Sequence, residues 1–365
     1  MKPLLFVTGH APAYRVGALA RLHEREGIEL ALFGGRYKHG GAGFDEQMPF
    51  PHQDVRPREL FALASSGDYR AVVCPTGGRL APLATWAGAR RARVPLILWA
   101  SLWAHPASAA HALSFLPLRR LYRSADAVVT YGPHVSSYVA ARGARSVFVA
   151  TQSVDNEFWG APATAAASAW PADADTRFLF VGRDAREKGL AVLIEAWRVA
   201  ELPAPANALL LVGAGSGSAA FAPAGLRREG DAGIVSLDAV EPPRLREMYA
   251  AADVLVVPSI PTRTFREPWG LVVNEAMNRG LAVIASDAVG AAAGGLVRDG
   301  ANGLVVAAGD SGALAAAIRR LAGDAALRAK LGEQAREDVR AYTHDAWAAG
   351  FSQALASVGL ARGRW

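Results

Sequence analysis

Short apolar runs alternate with amphipathic stretches along most of the chain. In the first part, the apolar runs predict buried strands with helices between them, at 4–8, 28–34, 71–75, 95–100, 127–130 and 147–150. A second series follows at 178–182, 209–213, 233–237, 254–257, 281–285 and 303–306. Apolar strands that alternate with helices are typical of parallel sheets covered on both faces. The pattern predicts an α/β protein with two doubly wound, Rossmann-like domains that face a central cleft.

A change of composition separates the two series. Residues 162–176 are rich in Ala, Pro, Ser and Asp and have no apolar period. We expect an N-terminal domain over 1–155 and a second domain over 156–342. Helical stretches at 311–340 and 344–357 complete the pattern.

Composition narrows the class of protein. The 365 residues are 52% hydrophobic and 20% charged, which predicts a soluble globular chain with a large core. The start of the sequence does not resemble a signal peptide, and a single cysteine, Cys74, excludes an internal disulfide. Both features favour a reducing cytoplasm. The net charge of +6 permits anionic partners, but no zinc-finger spacing or RNA-recognition motif supports nucleic-acid binding.

One uncharged segment needs an interpretation of its own. Residues 94–118 contain no Asp, Glu, Lys or Arg, but they include three prolines and two histidines. We interpret them as a strand, a loop and an amphipathic helix from about Ser108, not as a membrane span. Apolar residues and three arginines at 113–123 suit peripheral contact with the inner face of a membrane. The alternative is a helix with one face in the core and its arginines in water.

Two glutamates eight residues apart, Glu267 and Glu275, stand out in the second series. Pro268 and Gly280 predict a helix from about Trp269 to Asn278. Glu267 would lie in the loop before this helix, and Glu275 about two turns inside it. A helix N-terminus offers unpaired N–H groups to an anion, here contributed by Gly270, Leu271 and Val272.

Two cations follow the first strand of the second series. That strand ends at Gly182, and Lys188 begins the next helix, so Arg183 and Lys188 would both point into the cleft. Two cations there would hold a diphosphate whose negative charge grows when a glycosidic bond breaks. Lys188 is one of only four lysines beside 35 arginines, which favours a role for a compact ammonium. The alternative is an ordinary surface residue of a helix.

A glycine-rich turn follows the next strand. Gly213 and Gly215 suggest a dinucleotide-binding turn, and Asp238 lies at about the spacing of a ribose-binding acid. However, position 218 is Ser where the fingerprint needs its third glycine. The turn also belongs to the second strand of its domain, not the first.

These elements together resemble the family-4 retaining glycosyltransferases, also called group 1, which have the GT-B fold. The resemblance is carried by Glu-x7-Glu at 267–275 and by Gly-Arg-x4-Lys-Gly at 182–189. It implies a nucleoside diphosphate sugar donor, such as UDP or GDP sugars, and transfer with retention of configuration. It further implies no cofactor and no essential metal. The acceptor stays unknown and would be lipid-linked, a polysaccharide or a small metabolite of envelope glycan synthesis.

The resemblance also assigns residues. The catalytic candidates are Arg183, Lys188, Glu267 and His105. The donor-binding candidates are Gly182, Gly213, Gly215, Leu237, Trp269, Gly270, Leu271, Val272 and Glu275. The turn at 10–16 and the loop after the strand at 95–100 supply the acceptor side, with Tyr14, Arg15 and Trp103. Trp99 and Trp103 flank His105 and would stack on a sugar. The last helix, about 343–365, is expected to cross back onto the first domain.

Other functions stay open at this point. A sugar-nucleotide epimerase on the same fold would bind the same ligand without an acceptor, and an NAD-dependent dehydrogenase would use the glycine-rich turn. A non-catalytic nucleotide-sugar sensor is a third alternative. Asp173 and Asp175 match the D-x-D of metal-dependent glycosyltransferases, but they lie in the polar segment and not after a strand, so we expect no metal site there.

Overall fold

The computed structural model describes residues 2–34, 48–78, 80–213 and 233–360. The chain divides into two compact units: Met1–Asp155 with Tyr342–Trp365, and Asn156–Ala341. Within the described ranges, each unit contains one sheet, of seven strands in the first and six in the second, and all strand pairs are parallel. The predicted fold class, two doubly wound α/β domains, is confirmed.

The sheet of the first unit has the order β3-β2-β1-β4-β5-β6-β7. Its strands are β1 (Leu4–Thr8), β2 (Ile28–Leu32), β3 (His52–Asp54), β4 (Ala71–Pro75), β5 (Leu96–Ala100), β6 (Ala127–Thr130) and β7 (Val147–Val149). The edge strand β3 was not predicted, because its three residues are polar and its outer positions are exposed. The apolar runs alone therefore reveal the buried strands and miss a polar edge.

Helices cover both faces of this sheet. They are α1 (Ala13–Glu26), α2 (Leu60–Ser65), α3 (Ala81–Ala92), α4 (Ala109–Ser124) and α5 (Pro133–Ala140), together with the last helix of the chain, α13 (His344–Ser357). Trp347 and Phe351 of α13 are fully buried against Phe6 of β1, in one core with α1. The segment at 94–118 forms β5, a loop and the start of α4, as predicted.

The sheet of the second unit has the order β10-β9-β8-β11-β12-β13. Its strands are β8 (Thr176–Val181), β9 (Asn207–Val212), β10 (Ile234–Leu237), β11 (Val254–Val257), β12 (Ala282–Ser286) and β13 (Gly303–Val306). Its helices are α6 (Asn156–Gly160), α7 (Leu190–Ala200), α8 (Pro242–Ala251), α9 (Val272–Asn278), α10 (Gly290–Ala293), α11 (Ser311–Gly323) and α12 (Ala325–Val339). Short 3₁₀ turns lie at Ala167–Ala169 and Arg186–Lys188. In the described parts of the chain, none of the helices is both long and apolar enough to cross a membrane.

Candidate functional site

The carboxyl ends of β8, β9 and β10 lie side by side in the second sheet, and their backbones pack closely. Gly182 follows β8 and donates its N–H to Val212 of β9 over 2.9 Å, and Gly213 donates to Leu237 of β10 over 3.0 Å. Gly213 has a φ of +83°, and a Cβ there would lie 3.0 Å from the carbonyl oxygen of Gly182. The predicted donor-binding positions 182, 213 and 237 therefore lie together at the carboxyl edge of the sheet. Gly215 lies outside the described residues.

Lys188 lies in a 3₁₀ turn, and the prediction that it begins the α-helix was wrong. The turn covers Arg186–Lys188, Gly189 then has a φ of +70°, and α7 starts at Leu190. A Cβ on Gly189 would lie 1.9 Å from the carbonyl oxygen of Pro258, so only glycine fits here. This contact fixes Lys188 beside the end of β11.

Lys188 forms an ion pair with Glu267 in the candidate site. The Nζ and Oε2 atoms are 2.5 Å apart, and the two side chains are 24% and 9% exposed. The pair joins the turn after β8 to the loop before α9 across 79 residues of sequence. Two of the four predicted catalytic residues are thus in direct contact.

Arg183 has a different environment from Lys188. Its side chain is 70% exposed, and its Nη2 lies 3.6 Å from Oε1 of Glu187. Screening by water makes such a surface pair weak. Arg183 therefore keeps an accessible guanidinium at the strand end, whereas the ammonium of Lys188 is half-buried and held.

The loop before α9 is fastened by its backbone to α10. The N–H of Gly290 donates to Glu267 over 3.1 Å, and the N–H of Ala291 donates to Trp269 over 2.8 Å. A Cβ on Gly290 would lie 1.9 Å from the carbonyl oxygen of Pro268. Gly290, which the sequence analysis missed, thus permits the close approach that holds Glu267 in place.

Helix α9 begins at Val272, and the prediction that it begins at Trp269 was wrong. Gly270 has a φ of +93°, which is outside the helical region and interrupts the helix before Leu271. The buried indole N–H of Trp269 donates to Oδ1 of Asn274 over 2.8 Å, so Trp269 closes the first turn of α9 from outside. Leu271 and Val272 lie at the N-terminus of α9, where first-turn N–H groups lack acceptors inside the helix.

Glu275 contacts a tyrosine that the sequence analysis did not assign to the site. The hydroxyl of Tyr249, a fully buried residue of α8, donates to Oε2 of Glu275 over 2.8 Å. Glu275 keeps part of its surface exposed, but burial of its carboxyl raises its pKa to about 7, and the hydrogen bond from Tyr249 opposes this only partly. Burial and the nearby carboxylate raise the pKa of Tyr249 well above its ordinary value.

Two serines complete the polar groups at this edge. The hydroxyl of Ser286, at the end of β12, donates to the carbonyl oxygen of Ser259 after β11. Ser259 is 1% exposed, and its own hydroxyl has no hydrogen-bond partner among the described residues. Ser259 could not be recognised from the sequence, because nothing in it indicates that the hydroxyl would be left unpaired.

The remaining predicted residues lie in the first unit. Nε2 of His105 donates to the carbonyl of His111 over 2.8 Å, and its Nδ1 is 3.4 Å from the hydroxyl of Tyr138. The ring of Trp103 packs edge-on against His134, with 5.0 Å between the ring centroids. His105 is therefore held by α4 and α5 through both ring nitrogens.

Trp99, Tyr14 and Arg15 also belong to the first unit. The expectation that Trp99 offers a face to a sugar was wrong, because its ring packs among Phe6, Trp347 and other aromatic residues. Tyr14 is 46% exposed, whereas Arg15 is only 6% exposed. Asp126, just before β6, accepts a hydrogen bond from the N–H of Leu96 over 2.8 Å.

Comparison with known proteins identifies the second unit. Residues 167–338 match the family model for glycosyl transferases group 1. The second unit is a group 1 glycosyltransferase domain. The family resemblance drawn from the two motifs is thereby confirmed, and this domain contains the Lys188–Glu267 pair and Glu275.

Relatives of the glycosyltransferase domain cover only part of the chain. A D-inositol 3-phosphate glycosyltransferase of Nocardia farcinica is 37% identical over 190 residues, which are 50% of this chain and 38% of that protein. Another from Thermomonospora curvata is 37% identical over 183 residues, 46% of this chain and 39% of that protein. The chain thus spans about two fifths of the length of the curated relatives it matches.

Solved structures match nearly the whole chain. Anabaena HepE, in complex with UDP and glucose, has a TM-score of 0.73 at 20% identity, and the match covers 98% of this chain and 100% of that one. A sucrose-phosphate synthase of Thermosynechococcus elongatus has a TM-score of 0.72 at 22% identity and covers 98% and 99%. These similarities confirm the GT-B fold. They give no support to the epimerase or dehydrogenase alternatives.

Proposed function

We propose that this protein is a retaining glycosyltransferase that moves a sugar from a nucleoside diphosphate sugar to an acceptor. The observation that carries the proposal is the Lys188–Glu267 pair, 2.5 Å apart at the carboxyl edge of the second sheet, within a group 1 glycosyltransferase domain. Carboxyl edges of parallel sheets are where such folds bind ligands. The solved neighbour HepE was crystallised with UDP-glucose, which makes UDP sugars the first donors to test.

Lys188 and Arg183 would share the diphosphate. The half-buried ammonium of Lys188 is positioned by Glu267, and the exposed guanidinium of Arg183 is free to approach from solvent. Charge-assisted hydrogen bonds from such groups contribute about 1.5–3 kcal/mol each, and more where water is excluded. The two cations and the backbone of Gly270–Val272 would take the leaving charge, so we propose that no divalent metal is needed.

The transfer itself would proceed on one face of the sugar. The bond from the anomeric carbon to the diphosphate oxygen breaks, and its electrons leave with the diphosphate. An acceptor hydroxyl forms the new bond on the same face and passes its proton to the departing phosphate. Glu267 would hold the hydroxyls of the donor sugar during this step, and His105 would assist at the sugar.

Glu275 would bind the ribose of the donor. Its Oε2 already accepts from Tyr249, and its remaining lone pairs can accept from ribose hydroxyls. An ionised carboxylate is the stronger acceptor, and its pKa of about 7 places this ionisation in the physiological range. The glycine backbone at 182 and 213 and that of Leu237 would lie against the nucleotide, with Trp269 supporting α9.

The acceptor side would be formed by the first unit. We assign Tyr14, Arg15 and Trp103 to the acceptor side. We propose a lipid-linked glycan or a polysaccharide as the class of acceptor. Helix α4 supports contact with an anionic membrane surface, because Leu113 and Leu116 are 81% and 69% exposed on it. Three exposed arginines lie on the same helix, at 119, 120 and 123.

A ligand panel tests the donor class directly. Thermal unfolding would be followed with UDP, GDP and ADP and their sugars, since a ligand at ~100 times its dissociation constant adds about 2.7 kcal/mol of stability. We expect one nucleotide series to raise the melting temperature. No response to any of these nucleotides would refute the proposed donor site.

Substitutions at the ion pair test the catalytic assignment. Lys188→Ala and Glu267→Ala should each lower turnover by about 10²–10³-fold, because each removes a group that stabilises the reacting charge or its position. Lys330→Ala, which removes an exposed lysine of α12, is the matched control and should keep full activity. Far-UV circular dichroism checks that the variants fold. Wild-type turnover in either ion-pair variant would contradict the assignment.

A further inference from the structure

In the first unit, a buried arginine has no counter-ion among the described residues. Arg15 lies in the first turn of α1, and 6% of its surface is exposed. Its Nη2 donates to Oε1 of Gln152 over 2.5 Å, whereas its Nη1 has no hydrogen-bond partner within the described ranges. In the same ranges Arg15 takes part in no ion pair. A buried cation without an anionic partner is destabilising, so its presence needs a reason.

Two tryptophans packed against Arg15 leave further hydrogen-bond donors without acceptors. The guanidinium carbon is 5.5 Å from the ring of Trp99 and 5.6 Å from that of Trp347, which is within cation–π distance. The indole N–H groups of both tryptophans are buried and have no acceptor among the described residues. Arginine and tryptophan side chains can only donate. Nη1 of Arg15 thus lacks an acceptor, which an oxyanion would supply.

The place of Arg15 in the fold suits a ligand. Trp99 lies near the carboxyl end of β5, and Gln152 follows β7, so the guanidinium lies at the carboxyl edge of the first sheet. Helix α1 has fourteen residues, no acidic residue in its first turn and no side-chain cap at Pro12. Its N-terminus thus adds a favourable field for an anion. The ring of Tyr14 lies 5.6 Å from the guanidinium carbon, and Tyr14 is 46% exposed. Arg15 is therefore packed against a side chain that contacts solvent.

We propose that Arg15 binds a phosphate group of the acceptor. The unprotonated oxygens of a phosphate group only accept hydrogen bonds, and they match the planar fork of a guanidinium. The statement that this ligand is the acceptor of the transfer rests on the proposed function. The binding of a phosphate group at Arg15 does not rest on it, because the site is built entirely from residues of the first unit.

Titration of inorganic phosphate into the full chain saturated with UDP tests the site. Filling the donor site with UDP leaves the phosphate to report on Arg15. We expect binding by the wild type and, in Arg15→Met, an affinity weaker by about tenfold or more, the loss expected for one charge-assisted hydrogen bond. Arg21→Met removes a half-exposed arginine of the same helix and should bind phosphate like the wild type. No binding by the wild type, or equal binding by Arg15→Met, overturns the proposal.

Stability separates this role from a structural one. If Arg15 only ties α1 to α13, Arg15→Met should lower the melting temperature and leave phosphate affinity unchanged, which overturns the proposal. If Arg15 is an anion-binding residue, Arg15→Met should unfold at the same or a higher temperature than the wild type when phosphate is absent. The variant should also lose the binding of added phosphate. Should Arg15→Met not fold, Arg15→Lys keeps the charge without the fork and should bind phosphate more weakly. Unchanged affinity in Arg15→Lys overturns the proposal.

Two further arms identify the source of the phosphate and isolate the donor site. A soluble phosphate ester and a lipid headgroup present the same oxyanion, so glycerol 3-phosphate is compared with vesicles of phosphatidylglycerol. If Arg15→Met loses binding of glycerol 3-phosphate or of the vesicles, the result supports the site and identifies its ligand. If Arg15→Met keeps both, the result overturns the proposal. If UDP does not bind at all, the proposed donor site fails. The phosphate titration is then repeated on Lys188→Met protein, with and without Arg15→Met, and no difference overturns the Arg15 proposal.

Discussion

Replacing Glu275 with glutamine should change the stability of this protein in a manner that depends on pH. In the folded chain, burial raises the pKa of the Glu275 carboxyl from 4.5 to about 7, and the hydrogen bond from Tyr249 offsets only part of this. Between these two pH values the unfolded chain has released the proton and the folded chain has not. The favourable contribution of the neutral carboxyl is therefore complete below about pH 4.5 and is lost as the pH rises through about 7.

The size of the effect follows from the shift. One pKa unit corresponds to about 1.4 kcal/mol, so the rise from 4.5 to about 7 gives about 3 kcal/mol as an order of magnitude. Glutamine keeps an oxygen that accepts from Tyr249 but never ionises. Glu275→Gln should therefore gain stability relative to the wild type between pH 5 and pH 8, by roughly 2–3 kcal/mol.

Urea unfolding at pH 5 and pH 8 measures this difference. Glu333→Gln, which removes an exposed carboxylate of α12, controls for the loss of one negative charge. Nucleotide titrations in the same buffers should show wild-type affinity rising with pH through about 7, and no such rise in Glu275→Gln. If the stability difference between the wild type and Glu275→Gln is the same at both pH values, the carboxyl is not protonated in the folded chain and the reasoning fails.

Two further predictions concern packing and membrane contact. Gly290→Ala should destabilise the chain by about 2 kcal/mol or more, because the new Cβ would lie 1.9 Å from the Pro268 carbonyl oxygen. Gly323→Ala is the control, since the space around Gly323 is open, and it should not destabilise the chain. Thermal unfolding compares the two variants. Leu113→Glu with Leu116→Glu should abolish sedimentation with vesicles of phosphatidylglycerol. Leu80→Glu, at another exposed leucine of the same unit, should leave it intact. Equal stability of the two alanine variants, or equal sedimentation, would contradict the respective prediction.

The sequence predicted much of the fold because buried parallel strands are continuous apolar runs. The run at 254–257 is the central strand β11, and the run at 71–75 is β4, each with its predicted bounds. The strand β3 escaped because His52–Asp54 is polar and lies at an edge. The start of α9 was misplaced for a local reason: Pro268 marks the approach of a helix, but the positive φ of Gly270 delays its first turn.

The candidate site was predictable as a set of residues but not as a set of contacts. Motif spacing singled out Lys188 and Glu267, yet only the strand order brings β8 beside β11 and puts these residues in contact. Tyr249 could not be recognised as the partner of Glu275, because a buried tyrosine on an amphipathic helix is usually part of the core. Trp99 shows the reverse error, since a tryptophan near a strand end suggested a sugar contact and is part of the aromatic core.

The two glutamates of the motif differ in the groups that hold them. Glu267 accepts from an ammonium, which we assign to the diphosphate, whereas Glu275 accepts from a buried phenol. Loss of Glu267 would therefore also release Lys188, so its effect on turnover combines the position of the sugar with the position of the diphosphate cation. Loss of the Glu275 charge leaves Lys188 and its partner untouched. The affinity for a nucleotide that lacks a sugar should then depend on both glutamates. Glu267 would affect it only by positioning Lys188, whereas Glu275 would affect it by direct contact with the nucleotide.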